Sequence, residues 1–163
     1  MASAAPAAAT FKVGEFTFQT PAGWESVKDI SPMRKAQLKV PGDGKGGGEV
    51  VFFHFGPGGG GGTQANIERW LGQFEETRDK LNAKTEETKV KGRKVTYVQA
   101  EGTYLSGMPG GPKTPQPGTM LMGAIMESEE GSVFIRFTGP AALGRASLAP
   151  FRKMVEGAAP AAR

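Results

Sequence analysis

The 163 residues suffice for one domain with its own core, and the absence of cysteine excludes disulfides, thiolate metal sites, iron–sulfur clusters and cysteine nucleophiles. The 20 Lys and Arg against 16 Asp and Glu leave a net charge of +4. That is too mild to demand a nucleic-acid partner, and no apolar run is long enough to cross a membrane as a helix.

Residues 1–10 form an Ala/Pro-rich tail that lacks the basic start and apolar centre of a signal peptide. A tether of this kind begins many mature exported proteins, so a periplasmic or otherwise exported location is expected, with the cytoplasm as the alternative. Residues 11–157 are expected to fold as one α+β domain, followed by a short tail over 158–163. Within 11–19, Phe16 and Phe18 alternate with Glu15, Thr17 and Gln19, the signature of a half-buried strand. Trp24, after the turn at Pro21, is expected to plug the end of the sheet. Over 33–40, Ala36, Leu38 and Val40 share one face while Lys35, Gln37 and Lys39 face away, and Arg34 falls on the apolar side. A glycine-rich loop over 41–48 then leads into a strand at 50–55, apolar on both faces and therefore expected to be covered on both sides.

The run Gly56 to Gly62 stops that strand, and Thr63 is placed to cap a helix with its hydroxyl. Ile67, Trp70, Leu71 and Phe74 fall at i, i+3, i+4 and i+7, one apolar stripe. Glu76 precedes Lys80 by four residues, a favourable helical pair, so the helix is expected over 63–80. Strands follow at 85–90 and 93–105, turned by Lys91-Gly92. A Pro/Gly loop over 106–118 carries Pro109, Pro112, Pro115 and Pro117, and reads as a connector open to polyproline recognition. Strands at 119–128 and 132–138 come next. Gly139-Pro140 is expected to start a short helical piece, and Pro150 to sit in the first turn of a last helix that ends at Gly157. Short turns between successive strands imply antiparallel pairing. The sum is an α+β fold: an antiparallel sheet of six or seven strands sandwiched between helices.

From Phe16-Thr-Phe-Gln-Thr-Pro-Ala-Gly-Trp24 onward, this order of strands and helices resembles the PsbP-like fold, which includes an extrinsic subunit of photosystem II and a Ran-binding nuclear factor. Met33-Arg-Lys-Ala36, Asn66-Ile-Glu-Arg-Trp-Leu-Gly-Gln-Phe74 and Phe137-Thr-Gly-Pro140 resemble segments of uncharacterised exported bacterial proteins. The resemblance implies the sandwich above. It carries no metal-retaining or Ran-binding motif to any position here, since functions within one fold diverge.

The chemistry-bearing residues are few. His54 is the only histidine, which leaves a catalytic triad or a multi-histidine metal site without partners. It is expected at a strand end, buried or half-buried, with one hydrogen bond. The paired carboxylates at 75–76, 86–87 and 129–130 point apart and read as surface, no acidic cluster matches a calcium loop, and neither cofactor nor metal is expected. Asn66, Arg69 and Gln73 form a polar edge beside the apolar stripe; they either lock the helix to neighbouring strands or, with Arg34, make a binding patch. Gly61, Gly62 and Thr63 offer an alternative anion site of backbone N–H groups at a helix start, although the lysine of a phosphate-binding loop is missing. The basic residues are scattered and lack an aromatic RNA-binding signature. The expected function is a non-enzymatic accessory or protein-interaction domain. Its partner protein is unidentified, no nucleic acid is expected, and a small anionic ligand at 56–63 is the alternative.

Overall fold

The computed structural model describes residues 10–27, 34–42, 47–57, 61–106 and 111–160. The expectations for the tail over 1–9, the middles of the three glycine-rich or proline-rich loops, Met33 and residues 161–163 lie outside them. In chain order the elements are β1 (Thr10–Val13), β2 (Phe16–Gln19), β3 (Glu25–Ser26), β4 (Ala36–Val40), β5 (Gly48–His54) and α1 (Thr63–Leu71). They continue with β6 (Lys84–Val90), β7 (Arg93–Ser106), β8 (Thr114–Met126), β9 (Val133–Pro140), α2 (Ala141–Glu156) and β10 (Ala159–Pro160). A seven-stranded sheet runs in the order β3-β4-β5-β9-β8-β7-β6, with every neighbouring pair antiparallel. The hairpin at Lys91-Gly92 is as the sequence implies: φ is 54° at Lys91 and 84° at Gly92, the pair of left-handed residues a tight primed turn needs.

Each face of this sheet buries a separate cluster. On one, Val50, Phe52, Met120, Met122, Ile135 and Phe137 meet Phe151, Met154 and Val155 of α2. On the other, Val98, Ala100, Leu121, Ile125 and Phe134 meet Ile67, Trp70 and Leu71 of α1, together with Phe74 and Leu81. Of the strand expected at 50–55, Val50, Val51 and Phe52 are fully buried, while Phe53 and His54 are half-buried. Trp24 is half-buried against the α2-side cluster.

Four expectations are corrected. The span 11–19 is not one strand of the main sheet but the β1–β2 hairpin, which belongs to a small second sheet ordered β1-β2-β10. Alternation alone marks a strand and not its partner. The last helix is continuous from Ala141, with Pro150 in its interior. The carbonyl that loses its donor is that of Ala146, which is exposed and free to take one from water. Both ends of the span 106–118 are strand: β7 reaches Ser106, and β8 begins at Thr114 and runs through Pro115 and Pro117. Alternate N–H groups of a strand face opposite edges. Because the Leu105 N–H leaves β7 for the Gln73 carbonyl (2.9 Å), its partner Pro115 has its ring nitrogen on the outer edge of β8. Two prolines there remove donors and blunt that edge against strand addition.

The fourth correction is α1, which ends at Leu71 and not near 80. Gly72 is a poor helix residue, and the backbone beyond it has a better offer. The Glu75 N–H donates to the Thr103 carbonyl (2.8 Å), so 73–75 line the outer edge of β7 and Phe74 bridges Tyr104. Phe74 is buried as the stripe requires, but it arrives by β-pairing. Glu76 makes no helical pair with Lys80. Its carboxylate accepts from the Thr103 N–H (2.7 Å) and hydroxyl (2.8 Å), and those bonds, the backbone one foremost, hold its pKa below the usual carboxylate range. A depressed folded-state pKa adds stability that is complete above the unfolded value of about 4.3 and is lost as pH falls through the folded one. Thermal melts from pH 6 down to pH 2 are therefore expected to fall less steeply for Glu76→Gln than for the parent chain.

Candidate binding cleft

The short α1 decides what the sheet leaves open. It roofs β7, β8 and the near part of β9, while the same face of β4, β5 and the end of β9 has no helix above it. Across those strands the register aligns Gln37 with Val51 and Arg136, and Lys39 with Glu49 and Thr138. Of these, Gln37, Lys39, Glu49, Arg136 and Thr138 floor a cleft of about 1200 Å³. One wall is the turn after α1, Gly72-Gln73, with Tyr104 and Leu105 of β7. The other side includes Val27, Gly47 and Gly48, and Lys113, just before β8, with Gln116, Pro117, Gly118 and Thr119 at the start of β8, completes the lining.

The expected quartet divides. Arg34 and Gln73 both line the cleft, while Asn66 and Arg69 do not. Arg34 lies before β4, which starts at Ala36, and its guanidinium does not join the apolar face as its position suggested. Its Nη1 donates to Gln37 Oε1 (2.6 Å) and stands 3.9 Å from Glu49 Oε1. The Gln37 amide donates in turn to Glu49 (3.3 Å). The Gln73 side-chain oxygen accepts from the Tyr104 hydroxyl (3.0 Å), which ties the wall to the strand behind it. Asn66, buried, donates through Nδ2 to the Gly62 carbonyl (2.9 Å) and accepts from Arg69 Nη1 (3.1 Å). That pair brackets the start of the helix.

At the helix start the N-cap is Gly62, with no side-chain cap. Thr63 therefore does not cap as expected; its hydroxyl donates to Glu127 Oε2 (3.0 Å). Gly61 and Gly62 are exposed, and a second anion beside Thr63 would meet the carboxylate of Glu127. His54 closes β5 half-buried, its Nε2 donating to the Glu130 carbonyl (3.0 Å), as its position implied.

The charged cleft residues Lys39, Glu49, Lys113 and Arg136 escaped the sequence reading as site residues. Two carried a visible signal. Lys39 alternates with buried neighbours, and Arg136 is the lone charge in the otherwise apolar run Val133–Phe137. Arg136 makes no ion pair among the described residues. Its guanidinium lies over Phe53, 5.8 Å from the ring centre, and its Nε is buried without a hydrogen-bond partner. The described lining thus holds the cations Arg34, Lys39, Lys113 and Arg136 against the single carboxylate Glu49.

A smaller cavity of about 100 Å³ lies on the α2 side, between β6, β7 and α2. Arg152 sits 4.1 Å over the Tyr97 ring and donates twice to Glu86 (3.1 and 2.8 Å); the Tyr97 hydroxyl donates to Glu156 (3.0 Å). Burial, then Glu156, pushes the Tyr97 phenol well up. Every polar group of this cluster has a partner, so it reads as a clasp between helix and sheet.

No known protein family matches the chain by sequence, and no curated protein is significantly similar to it. Solved structures do match. PA94, a protein of unknown function from Pseudomonas aeruginosa, aligns with a TM-score of 0.53 at 12% identity, over 96% of this chain and 99% of its own. The solution structure of a cyanobacterial PsbP, CyanoP from Synechocystis, aligns with a TM-score of 0.57 at 11% identity, over 98% of this chain and 96% of its own. Together with the antiparallel sheet between α1 and α2, these alignments establish that the chain has the PsbP-like fold.

Proposed function

We propose that this chain is a non-enzymatic protein-interaction domain, exported from the cytoplasm, whose working surface is the cleft beside α1. The observation that carries this reading is the mismatch between the sheet and its cover. On the α1-side face β7, β8 and the near part of β9 are roofed and buried, and β4, β5 and the end of β9 give a concave floor of polar side chains. Concave surfaces with a few placed polar groups are where ligands and partners dock. The cleft's described residues supply cations, amides and hydroxyls, with one carboxylate already bonded to Gln37. Among the described residues of the cleft no nucleophile stands beside a base, which favours binding over catalysis. Export is supported by the resemblance of several segments to exported bacterial proteins. No helix among the described residues is long and apolar enough to cross a membrane. The anion-binding alternative at Gly61, Gly62 and Thr63 gains no comparable support, because Glu127 already engages the Thr63 hydroxyl.

Site-specific photo-crosslinking in the native host tests the reading. A photoreactive residue at Gln37, on the cleft floor, is expected to give a discrete adduct, and one at Thr17, on the small sheet, none. Equal adducts from both positions, or none from Gln37, would remove the cleft as the working surface. Fractionation of the same cells checks export, with the protein expected outside the cytoplasmic fraction.

A further inference from the structure

We infer that the cleft takes an extended acidic segment of a partner protein. The inference rests on the interaction-domain reading and gives it a chemistry. Charge points to the sign of the occupant. Lys39 and Arg136 make no ion pair among the described residues, and Arg34 has only a loose contact with Glu49 at 3.9 Å. A cationic floor between low-dielectric walls attracts carboxylates and steers their approach.

Size and shape point to a peptide. The cleft, at about 1200 Å³, exceeds the roughly 300–1,000 Å³ of small-molecule sites. Its described lining crosses the strands, from Gln37 and Lys39 of β4 through Glu49 of β5 and Arg136 and Thr138 of β9 to Gln116 and Thr119 of β8. At the usual spacing between strands that floor spans about 14 Å, room for about four extended residues.

Two features narrow the occupant further. Pro115 and Pro117 blunt the outer edge of β8, so recognition runs through side chains and not through strand addition. Glu49 stands among the cations and repels an unbroken polyanion, whereas a peptide can space its carboxylates on either side of it.

Fluorescence anisotropy with the full chain tests this. The probes are a labelled ten-residue Asp/Glu-rich peptide, its Asn/Gln analogue, its Lys analogue, a single-stranded oligonucleotide, and vesicles containing phosphatidylglycerol. The acidic peptide is expected to bind at least about tenfold tighter than its neutral analogue and to weaken with salt. Arg136→Ala and, as a purely surface variant, Lys39→Ala should each weaken it about three- to tenfold. Glu49→Gln keeps the acceptor for Gln37 and should tighten it. Equal binding of acidic and neutral peptides, or shifts of the same sign for Lys39→Ala and Glu49→Gln, would overturn the inference. So would tighter binding of the oligonucleotide or the vesicles. If the Gln37 crosslink forms but the acidic peptide shows no preference, the interaction reading stands and this inference falls; if the crosslink itself is absent, the interaction reading falls.

Discussion

Trp70→Ala is expected to cost about 3–5 kcal/mol of stability, the range for truncating a large buried aromatic side chain, read from chemical denaturation of the folded chain. Trp70 is 4% exposed and lies among Ile67, Leu71, Leu121, Ile125 and Phe134. The sheet makes room for it at one point. Beneath the ring is Gly123 of β8, where an added Cβ would stand 2.3 Å from Cζ3 of the indole, well inside any tolerable contact. Gly123 is thus required by the indole above it and not by its own backbone conformation. A double-mutant cycle separates the two. Gly123→Ala alone should be strongly destabilising, because the ring must shift off the sheet; in the Trp70→Ala background it should cost little, a coupling of about 1–3 kcal/mol. Additive effects would mean that the indole does not rest on Gly123, and an unchanged midpoint for Trp70→Ala would place the ring outside the core. The result bears on function, because α1 ends in the Gly72-Gln73 wall of the cleft. A helix loosened at Trp70 should also lose acidic-peptide affinity without any change to a cationic side chain.

The burial of α1 was legible because i, i+3, i+4, i+7 spacing encodes a face whatever that face covers. Its length was not. Whether 73–75 stay helical depends on an open β7 edge that donates Leu105 N–H and accepts Glu75 N–H, and those residues lie some thirty positions along the chain. The candidate site follows the same division. Strand alternation turned Gln37 and Lys39 to one polar face, and Arg136 stood out in an apolar strand. That they share a floor with Arg34 and Glu49 follows only from the β4-β5-β9 neighbourhood and from a helix that stops short. The polar edge at Asn66, Arg69 and Gln73 was a sound local observation about helix periodicity. It divides in space because Gln73 has already left the helix. Proline likewise has one local meaning and two tertiary ones here: helix interior at 150, and strand edge at 115 and 117.

Phe18→Ala is expected to match Trp70→Ala in size, about 3–5 kcal/mol, with a melting point lower by roughly 10 °C for a chain of this length. Among the described residues the small sheet shares no strand pairing with the large one, so side chains hold the two together. Phe18 is fully buried, with its ring centre 5.0 Å from Phe52 of β5 in an edge-on contact and 5.6 Å from Phe11 in a stacked one. The same cluster contains Phe151, Met154 and Val155 of α2. The second link is polar: Glu15, in the β1–β2 turn, accepts from Arg93 Nη2 (3.0 Å) and from the Ser128 hydroxyl. Glu15→Gln retains part of that bonding and should cost only about 1–2 kcal/mol. Because Phe18 is part of the cluster under α2, its loss should lower the whole transition. Amides of β5 and β9 should then lose hydrogen-exchange protection along with those of β1 and β2. Protection lost only over residues 10–19, with the main transition unmoved, would make the hairpin an appendage and would show that the α2-side core closes without it.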